Sequence, residues 1–204
     1  MIKIDLKKDL ARLYKPSAKE ITIVDVPGFS FITVDGQGSP ESMNYQDAVQ
    51  ALYSVAYAIK FSKKADGIDF GVMPLEGLWW AEDMSDFDPE TGDRNAWRWT
   101  MMIMQPDFVT REDFASSVAG AGKKKDLPAL DAVKFTRFEE GTTAQILHIG
   151  RYLEEGPNIR RLHETIAQTG GTLSGKHHEI YLSDPRRTDP AKLKTILRQP
   201  YTIS

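Results

Sequence analysis

The amino-acid sequence predicts an α+β fold with a mostly antiparallel β-sheet. Two observations support this: segments read as strand, helix and two strands, and, after a break, as strand, helix and strand. The two runs share an architecture without evident sequence identity. We therefore expect one pseudo-symmetric domain over 1–204, with repeats at about 21–106 and 132–184 and a C-terminal extension at 185–204. Helices would cover one face of the sheet, and the other face would form a ligand cleft.

The composition supports a folded core and excludes several classes of protein. The 204 residues are 41% hydrophobic and 27% charged, which is ordinary for a globular chain. The 26 Lys and Arg against 29 Asp and Glu give a net charge of -3, which argues against direct nucleic-acid binding. The absence of cysteine excludes disulfides and thiol chemistry. No signal peptide or membrane span is visible, so we expect a cytoplasmic protein without membrane contact or cofactor.

The first half contains one clear helix between extended segments. After an amphipathic lead-in, residues 21–40 are rich in β-formers, with a bend at Pro27-Gly28. From Asn44, which we expect to cap the helix, to Lys64 the apolar residues recur at spacings of three and four. Strands are then predicted at 68–80 and 95–106. The acidic segment between them suggests a long antiparallel hairpin.

The second half is predicted from turn residues and apolar spacing. A short helix and then a Gly/Lys loop containing Lys123–Lys125 are expected within 106–132. Two short strands flank Glu140-Gly141, and a helix runs from Pro157 to Gln168. A strand follows at 177–185. The tail beyond it is expected to begin as a helix and to stop at Pro200.

Glu179 is the sharpest candidate for chemistry. Side chains alternate along a strand, so His177, Glu179 and Tyr181 should share one face. Ile180 and Leu182 should then face the core and the helices, leaving Glu179 on the opposite face. In an apolar cleft a glutamate becomes an acid or base candidate. The alternative is a solvated glutamate on an exposed strand face.

All four tryptophans fall in one short stretch, as Trp79, Trp80, Trp97 and Trp99. They could be the packed core of a hairpin or an aromatic cage for a flat or cationic ligand. The predicted first helix adds a stripe of Tyr45, Tyr53 and Tyr57. The adjacent pair must point to opposite faces, and we expect Trp80 in the cleft and Trp79 in the core.

Metal sites and common hydrolase motifs are not indicated. His177-His178 are neighbours on a strand and point apart, so they are poorly placed to bind one ion, and no HExxH spacing exists. The acidic run at 86–92 has alternating carboxylates, but Pro89 intrudes and the terminal glutamate of a calcium loop is missing. The chain has no P-loop, no GxGxxG and no GxSxG.

Four blocks together resemble the GyrI-like small-molecule-binding family, in the stand-alone branch that includes cyclopropanoid cyclopropyl hydrolases. The blocks are YSVAYAIKF at 53–61, LEGLWW at 75–80, PDFVT at 106–110 and GKHHEIYLSDPRR at 175–187. The resemblance covers about 15–200. It implies a duplicated strand–helix–strand–strand (SHS2-type) unit and a cleft that binds flat, often cationic aromatic compounds. Relatives with a DNA-binding domain carry it before the pocket, and no room for one is expected ahead of Val26.

The resemblance implies that Glu179 lies in the cleft and that an aromatic cage is formed by Tyr57, Trp80, Trp99 and Tyr181. We expect catalytic roles for Glu179 and Tyr181. We expect the ligand to contact six further side chains: Tyr53, Tyr57, Trp80, Trp97, Trp99 and His148. The leading hypothesis is an enzyme that adds water to the strained cyclopropane of a DNA-alkylating natural product, which would be detoxification. Glu179 would act as general base, and Tyr181 or Tyr57 would hydrogen-bond the developing phenolate.

Two other functions stay open at this point. The chain could be a non-catalytic multidrug-binding module in which Glu179 pairs with a ligand cation. It could also be an interaction protein whose aromatic face is covered by a partner or by a second copy in a homodimer.

Overall fold

The structure is a computed structural model that describes residues 1–82 and 93–203. The acidic run at 86–92, expected as a hairpin loop, lies outside these residues. The chain divides into two compact units. Unit 1 comprises Met1–Asp9, Phe29–Pro74 and Ala81–Phe138, and unit 2 comprises Leu10–Gly28, Leu75–Trp80 and Glu139–Ser204.

The helices and strands confirm the α+β class. In chain order they are β1 (Ile2–Ile4), α1 (Leu6–Asp9), α2 (Ala11–Tyr14), β2 (Thr22–Val26), β3 (Phe29–Gln37), α3 (Met43–Ala65), β4 (Ile68–Phe70), β5 (Leu75–Trp80), β6 (Arg98–Gln105), α4 (Arg111–Lys124), β7 (Lys134–Phe138), β8 (Gly141–Ile149), α5 (Gly156–Gln168), β9 (Gly171–Leu173), β10 (His177–Tyr181) and β11 (Lys194–Ile203). Every recorded strand pair is antiparallel except β1 with β4. None of the helices in the described ranges is long and apolar enough to cross a membrane.

Unit 1 is built on β3, which pairs with β6 on one side and β7 on the other. Helix α3 buries an apolar face that includes Leu52, Val55 and Ile59. Its cap is Ser42, whose hydroxyl accepts from the N–H of Tyr45, and not Asn44 as expected. Serine in an extended conformation serves this role as well as asparagine does, so composition alone could not locate the cap.

The structure differs from two further expectations, one for residues 106–132 and one for residues 68–80. Helix α4 extends to Lys124, so Lys123 and Lys124 form its last turn and not a loop. A capping box of Thr110 and Asp113 starts the helix, and basic side chains favour its C-terminal end. Residues 68–80 form two separate strands, β4 and β5, and not one.

Unit 2 contains the antiparallel strand order β2–β8–β11–β10–β5, with β9 paired to the far end of β11. The tail expected to be helical is therefore a strand between β8 and β10. Pro200 fits because the pairing with β10 ends at Arg198 and the pairing with β9 begins at Tyr201. The missing proline N–H falls in this gap, where the carbonyl of Pro200 still accepts from the N–H of Ser174.

Both faces of the unit 2 strands are covered. Helix α5 packs on one face through a buried cluster formed by Ala144, Ile146, Leu162, Ile166, Leu197 and Tyr201. The opposite face carries Ile180 and Arg198 and is covered by the segment around α2, where Leu13 and Tyr14 are buried. The part of the N-terminal lead-in that contains Leu13 and Tyr14 thus belongs to the core of unit 2.

Candidate functional site

Glu179 lies on the face of β10 that α5 covers. It is paired with Leu197 on β11 and with Gly77 on β5, and paired residues of antiparallel strands share a face. Because Leu197 packs in the α5 cluster, the expectation that Glu179 would face away from the helices is wrong. The predicted alternation itself is correct, but the apolar Ile180 faces the α2 side, which is also buried.

A chain of hydrogen bonds fixes Glu179. The indole N–H of Trp79 donates to the hydroxyl oxygen of Tyr181 at 2.8 Å, and that hydroxyl donates to Glu179 Oε2 at 2.7 Å. The Tyr152 ring stands edge-on to the Tyr181 ring, with centroids 5.7 Å apart. A half-buried carboxylate therefore lies beside aromatic walls, with one of its oxygens held by a phenol.

One histidine lies beside the same carboxylate, and a second lies next to the first. His177 Nε2 is 3.4 Å from Glu179 Oε1, and the Glu179 side chain is 15% exposed. His163 is half-buried in α5, and its pKa is lowered by burial and further by the neighbouring His177. His163 is consequently held neutral at physiological pH.

A second carboxyl group, Glu155, completes this side of the site. It immediately precedes α5 and is 4% exposed, and its carboxyl group interacts electrostatically with that of Glu179. Burial, and then the charge of Glu179, raise the pKa of Glu155 to about 10. The sequence reasoning missed this residue. The only signal was a pair of glutamates before Pro157, and the approach to Glu179 arises from the packing of α5 on β8 and β11.

His148 is buried on the same face, where it is paired with Thr195 of β11. The side-chain amide of Asn158 lies 3.1 Å from its Nδ1, and the carbonyl of Arg151 lies 3.1 Å from its Nε2. Nε2 thus carries the proton and donates, and Nδ1 accepts. These bonds tie β8 to the start of α5, and contact of His148 with a ligand stays a prediction.

The opposite face holds a buried network of charges. His178 Nδ1 lies 3.0 Å from Glu140 and Nε2 lies 3.0 Å from Glu76, while Tyr14 donates to Glu76 at 2.7 Å. Arg198 lies 3.5 Å from Glu140 and donates to the carbonyl of Leu13 at 2.6 Å. The sequence pattern indicated only a turn at Glu140 and gave no role to Glu76.

The pKa values in this network are set by the pairing of its basic groups with its carboxylates. Burial opposes a charge on His178, but Glu140 and Glu76 outweigh it and raise the His178 pKa to about 9. Burial likewise opposes a charge on Glu140, but His178 and Arg198 hold its pKa below the ordinary value. Burial and the charge of Glu76 raise the pKa of Tyr14. The network is a set of paired charges that fastens the α2 segment to the strands.

The adjacent tryptophans divide between the two faces of β5. Trp79 is paired with His177 and reaches Tyr181, so it lies on the Glu179 face. Trp80 points to the other side, where the ammonium of Lys176 lies 3.2 Å from its ring centroid. Trp79 is buried, as expected for a core residue, and its hydrogen bond to Tyr181 links it to Glu179. Ligand contact of Trp80 stays a prediction.

The remaining expected ligand contacts lie in unit 1. Trp99 is completely buried, its indole N–H donates to the carbonyl of Gly38, and Tyr45 stands edge-on to it at 5.4 Å. Trp97 is buried, with the Arg94 guanidinium 5.2 Å from its ring. These contacts account for both rings as packing within the unit, and their ligand contact stays a prediction.

Tyr53 and Tyr57 lie one turn apart on α3, in a row of rings that continues to Phe61. Tyr57 is 47% exposed, so its ring is open to a ligand or a partner. Within the described ranges, no group of three or more histidine, aspartate or glutamate side chains is arranged to hold a metal ion.

This fold and this carboxylate beside aromatic rings define a small-molecule-binding domain, and the comparisons agree. The family model of the GyrI-like small molecule binding domain matches residues 99–201. An uncharacterized conserved protein from Listeria innocua is 44% identical, with a TM-score of 0.89, covering 98% of this chain and 100% of that one. The chain belongs to the GyrI-like small-molecule-binding family.

Two further solved structures are similar to the chain. A hydrolase from Listeria innocua is 42% identical, with a TM-score of 0.85 over 98% of this chain and 100% of that one. The EcmrR C-terminal domain is 14% identical, with a TM-score of 0.58 over 91% of this chain and 98% of that one, which shows the fold alone. The comparison with curated proteins gave no match.

Proposed function

We propose that this protein is a hydrolase that opens the cyclopropane ring of flat, DNA-alkylating compounds by adding water. The observation that carries the proposal is the oriented, half-buried carboxylate of Glu179, which accepts from Tyr181 at 2.7 Å. The similarity to a Listeria hydrolase at 42% identity supports an enzyme. The family resemblance of the HHEIYL and LEGLWW blocks supports the cyclopropane substrate.

The chemistry suits a single base. In a cyclopropane fused to a dienone, attack by water forms a C–O bond and breaks a ring C–C bond. The electron pair of the broken bond moves to the dienone oxygen, which becomes a phenolate, and the water proton passes to Glu179. A base within hydrogen-bonding reach of the attacking water contributes roughly 10²–10⁴-fold to the rate.

The hydrogen bonds of Tyr181 support a positioning role for it. Its hydroxyl already accepts from Trp79 and donates to Glu179, so its only proton is directed at the carboxylate and not at a substrate oxygen. The Tyr181 and Tyr152 rings, 5.7 Å apart, offer an edge against which a flat substrate can pack. Positioning of substrate and water next to Glu179 would supply much of the remaining acceleration.

A non-catalytic binding module is the second candidate. A carboxylate beside aromatic rings is also the arrangement that attracts an aromatic cation, and the structural likeness to the EcmrR C-terminal domain is compatible with either function. In this case Glu179 would supply charge without abstracting a proton, and a bound compound would be released unchanged.

Mass spectrometry on a defined substrate separates the two functions. The protein is incubated with a spirocyclopropyl cyclohexadienone in water labelled with a heavy oxygen isotope. The hydrolase predicts a hydroxyethyl phenol that carries one labelled oxygen, formed at a rate proportional to protein concentration. Saturable binding with recovery of the intact dienone would overturn the hydrolase and support the binding module.

A further inference from the structure

The buried carboxyl group of Glu155 lies beside the proposed base. The backbone carbonyl of Glu155 accepts from the N–H groups of Asn158 and Ile159, at 2.9 and 3.0 Å, so the first turn of α5 fixes its position. Its side chain lies within hydrogen-bonding reach of the Glu179 carboxylate. Two carboxyl groups in contact repel each other when both are ionised, and sharing one proton removes the repulsion.

Glu155 is the member of the pair that should hold the proton. It is 4% exposed, whereas the Glu179 side chain is 15% exposed and accepts a hydrogen bond from Tyr181. Glu155 Oε1 is buried and has no hydrogen-bond partner among the described residues. A buried ionised carboxylate without a compensating partner is costly, whereas a neutral carboxyl group costs much less.

The surrounding groups support the same assignment. Six polar or titratable side chains surround the pair: His177 and Tyr181 from β10, Thr195 from β11, His148 from β8, His163 from α5 and Tyr152 from the turn before α5. The N-terminal end of α5 and the hydroxyl of Thr195 both favour a negative charge on Glu155. Burial and the charge of Glu179 outweigh these two effects and hold the pKa of Glu155 far above that of an ordinary glutamate.

We propose that Glu155 is a positioning residue that carries a proton and donates it in a hydrogen bond to Glu179, so that the pair holds one negative charge, located on the base. This inference rests on the proposed function of Glu179. With Tyr181 and Glu155 both donating to it, the Glu179 carboxylate is held in one orientation. Separated acid and base assignments within a carboxyl pair are a recurrent device of hydrolytic sites.

A proton held by Glu155 makes the folding stability depend on pH, whether or not the protein turns over a substrate. The unfolded chain releases the Glu155 proton near the ordinary glutamate pKa, but the folded chain keeps it up to about pH 10. Folding stability must then fall as the pH rises between these values, because the folded state binds the extra proton. Glu155→Gln keeps a neutral donor at this position and removes the titration.

The first measurement is the free energy of unfolding of the full chain at about pH 5 and at about pH 8. Both values lie above the ordinary glutamate pKa, so Glu155 of the unfolded chain has largely released its proton at either. We expect Glu155→Gln to gain stability relative to wild type, with a larger gain at the higher pH. Glu164→Gln, the same change at an exposed position of α5, should show no such pH-dependent gain. The pH-dependent contribution of His178 to stability is the same in wild type and in the two variants, so it cancels in the comparison. An equal gain at both pH values would overturn the protonated Glu155.

The second measurement is steady-state turnover of the spirocyclopropyl cyclohexadienone. Glu155→Gln should keep most of the wild-type kcat, whereas Glu155→Leu should lose on the order of 10²-fold in kcat with a smaller change in KM. A wild-type kcat for Glu155→Leu would overturn the positioning role. If wild type itself fails to open the ring, the proposed function fails, and the stability comparison still decides whether Glu155 holds the proton.

Discussion

Trp79 and Tyr181 are joined by a hydrogen bond of 2.8 Å between the indole N–H and the phenol oxygen. They lie on the neighbouring strands β5 and β10, far apart in the sequence. Gly77, which is paired with Glu179 between them, has no side chain and leaves room for the two rings to meet. Because Tyr181 accepts from Trp79, its own proton is directed to Glu179.

Replacement of Tyr181 by Phe tests this chain of hydrogen bonds. The Tyr181→Phe variant leaves the buried Trp79 N–H without its acceptor, which costs about 1–3 kcal/mol of unfolding free energy. It also frees Glu179, so kcat should fall while the ring packing against Tyr152 is kept. Chemical denaturation and steady-state kinetics measure the two effects.

A double-mutant cycle provides the control. In a Trp79→Phe background no indole N–H remains, so Tyr181→Phe should cost less than it does in wild type. Equal costs in the two backgrounds would show that the hydrogen bond adds nothing to stability.

The close packing of Trp99 on Gly36 gives a second prediction. A Cβ at Gly36 would lie 2.1 Å from a ring atom of Trp99, which is completely buried. Gly36→Ala should therefore be strongly destabilising. Trp99→Ala should cost about 3–5 kcal/mol, as expected for removal of a large buried ring.

The two changes should also be coupled, because Trp99→Ala removes the ring that the new Cβ meets. Gly36→Ala should then cost less in the Trp99→Ala background, as measured by thermal or urea unfolding. If Trp99→Ala instead folds with wild-type stability and only weakens ligand binding, the ring belongs to the ligand site and not to the core.

The sequence predicted the elements that bury a single apolar stripe or that are bounded by glycines. Helix α3 and helix α5 bury a single stripe, and strand β8 is marked by flanking glycines, so all three were recognised. Strand β11 was missed because Pro200 reads as a stop. Only the change of its neighbour from β10 to β9 explains how a proline is tolerated there.

The candidate site was only partly predictable, for a related reason. Alternation correctly placed Tyr181 with Glu179, but it could not tell which face α5 covers, because both faces are buried. Glu155 reaches Glu179, and Trp79 reaches Tyr181, only through the tertiary packing of α5 and β5. No local pattern encodes such an approach.

The buried network around His178 predicts a pH-dependent stability. Glu140 and Glu76 raise the pKa of His178 to about 9 in the folded protein, from an ordinary value of about 6.5. The stabilisation by the charged imidazole is therefore fully present below about pH 6.5 and is lost as the pH rises through about 9, an effect on the order of 3 kcal/mol. On the acid side, the low pKa of Glu140 means that its contribution is lost only as the pH falls below its ordinary pKa.

Urea unfolding at a series of pH values measures this slope. His178→Gln places a neutral amide among the same partners, so its stability should decline less than that of wild type between neutral and alkaline pH. If the unfolding free energy changes with pH identically in both proteins, the pKa of His178 does not change on folding. Glu155 also lowers the stability of wild type and of His178→Gln as the pH rises, and this equal effect cancels in the comparison.

The most direct test of the central claim is the Glu179→Gln variant, measured for turnover and for binding on the same spirocyclopropyl cyclohexadienone. The amide keeps the size of the side chain and accepts from Tyr181, but it cannot take a proton from water. If Glu179 is the base, kcat should be lower by about 10²–10⁴-fold, with the Kd of the intact substrate changed only slightly. Wild-type turnover by Glu179→Gln would contradict the assignment of Glu179 as the base.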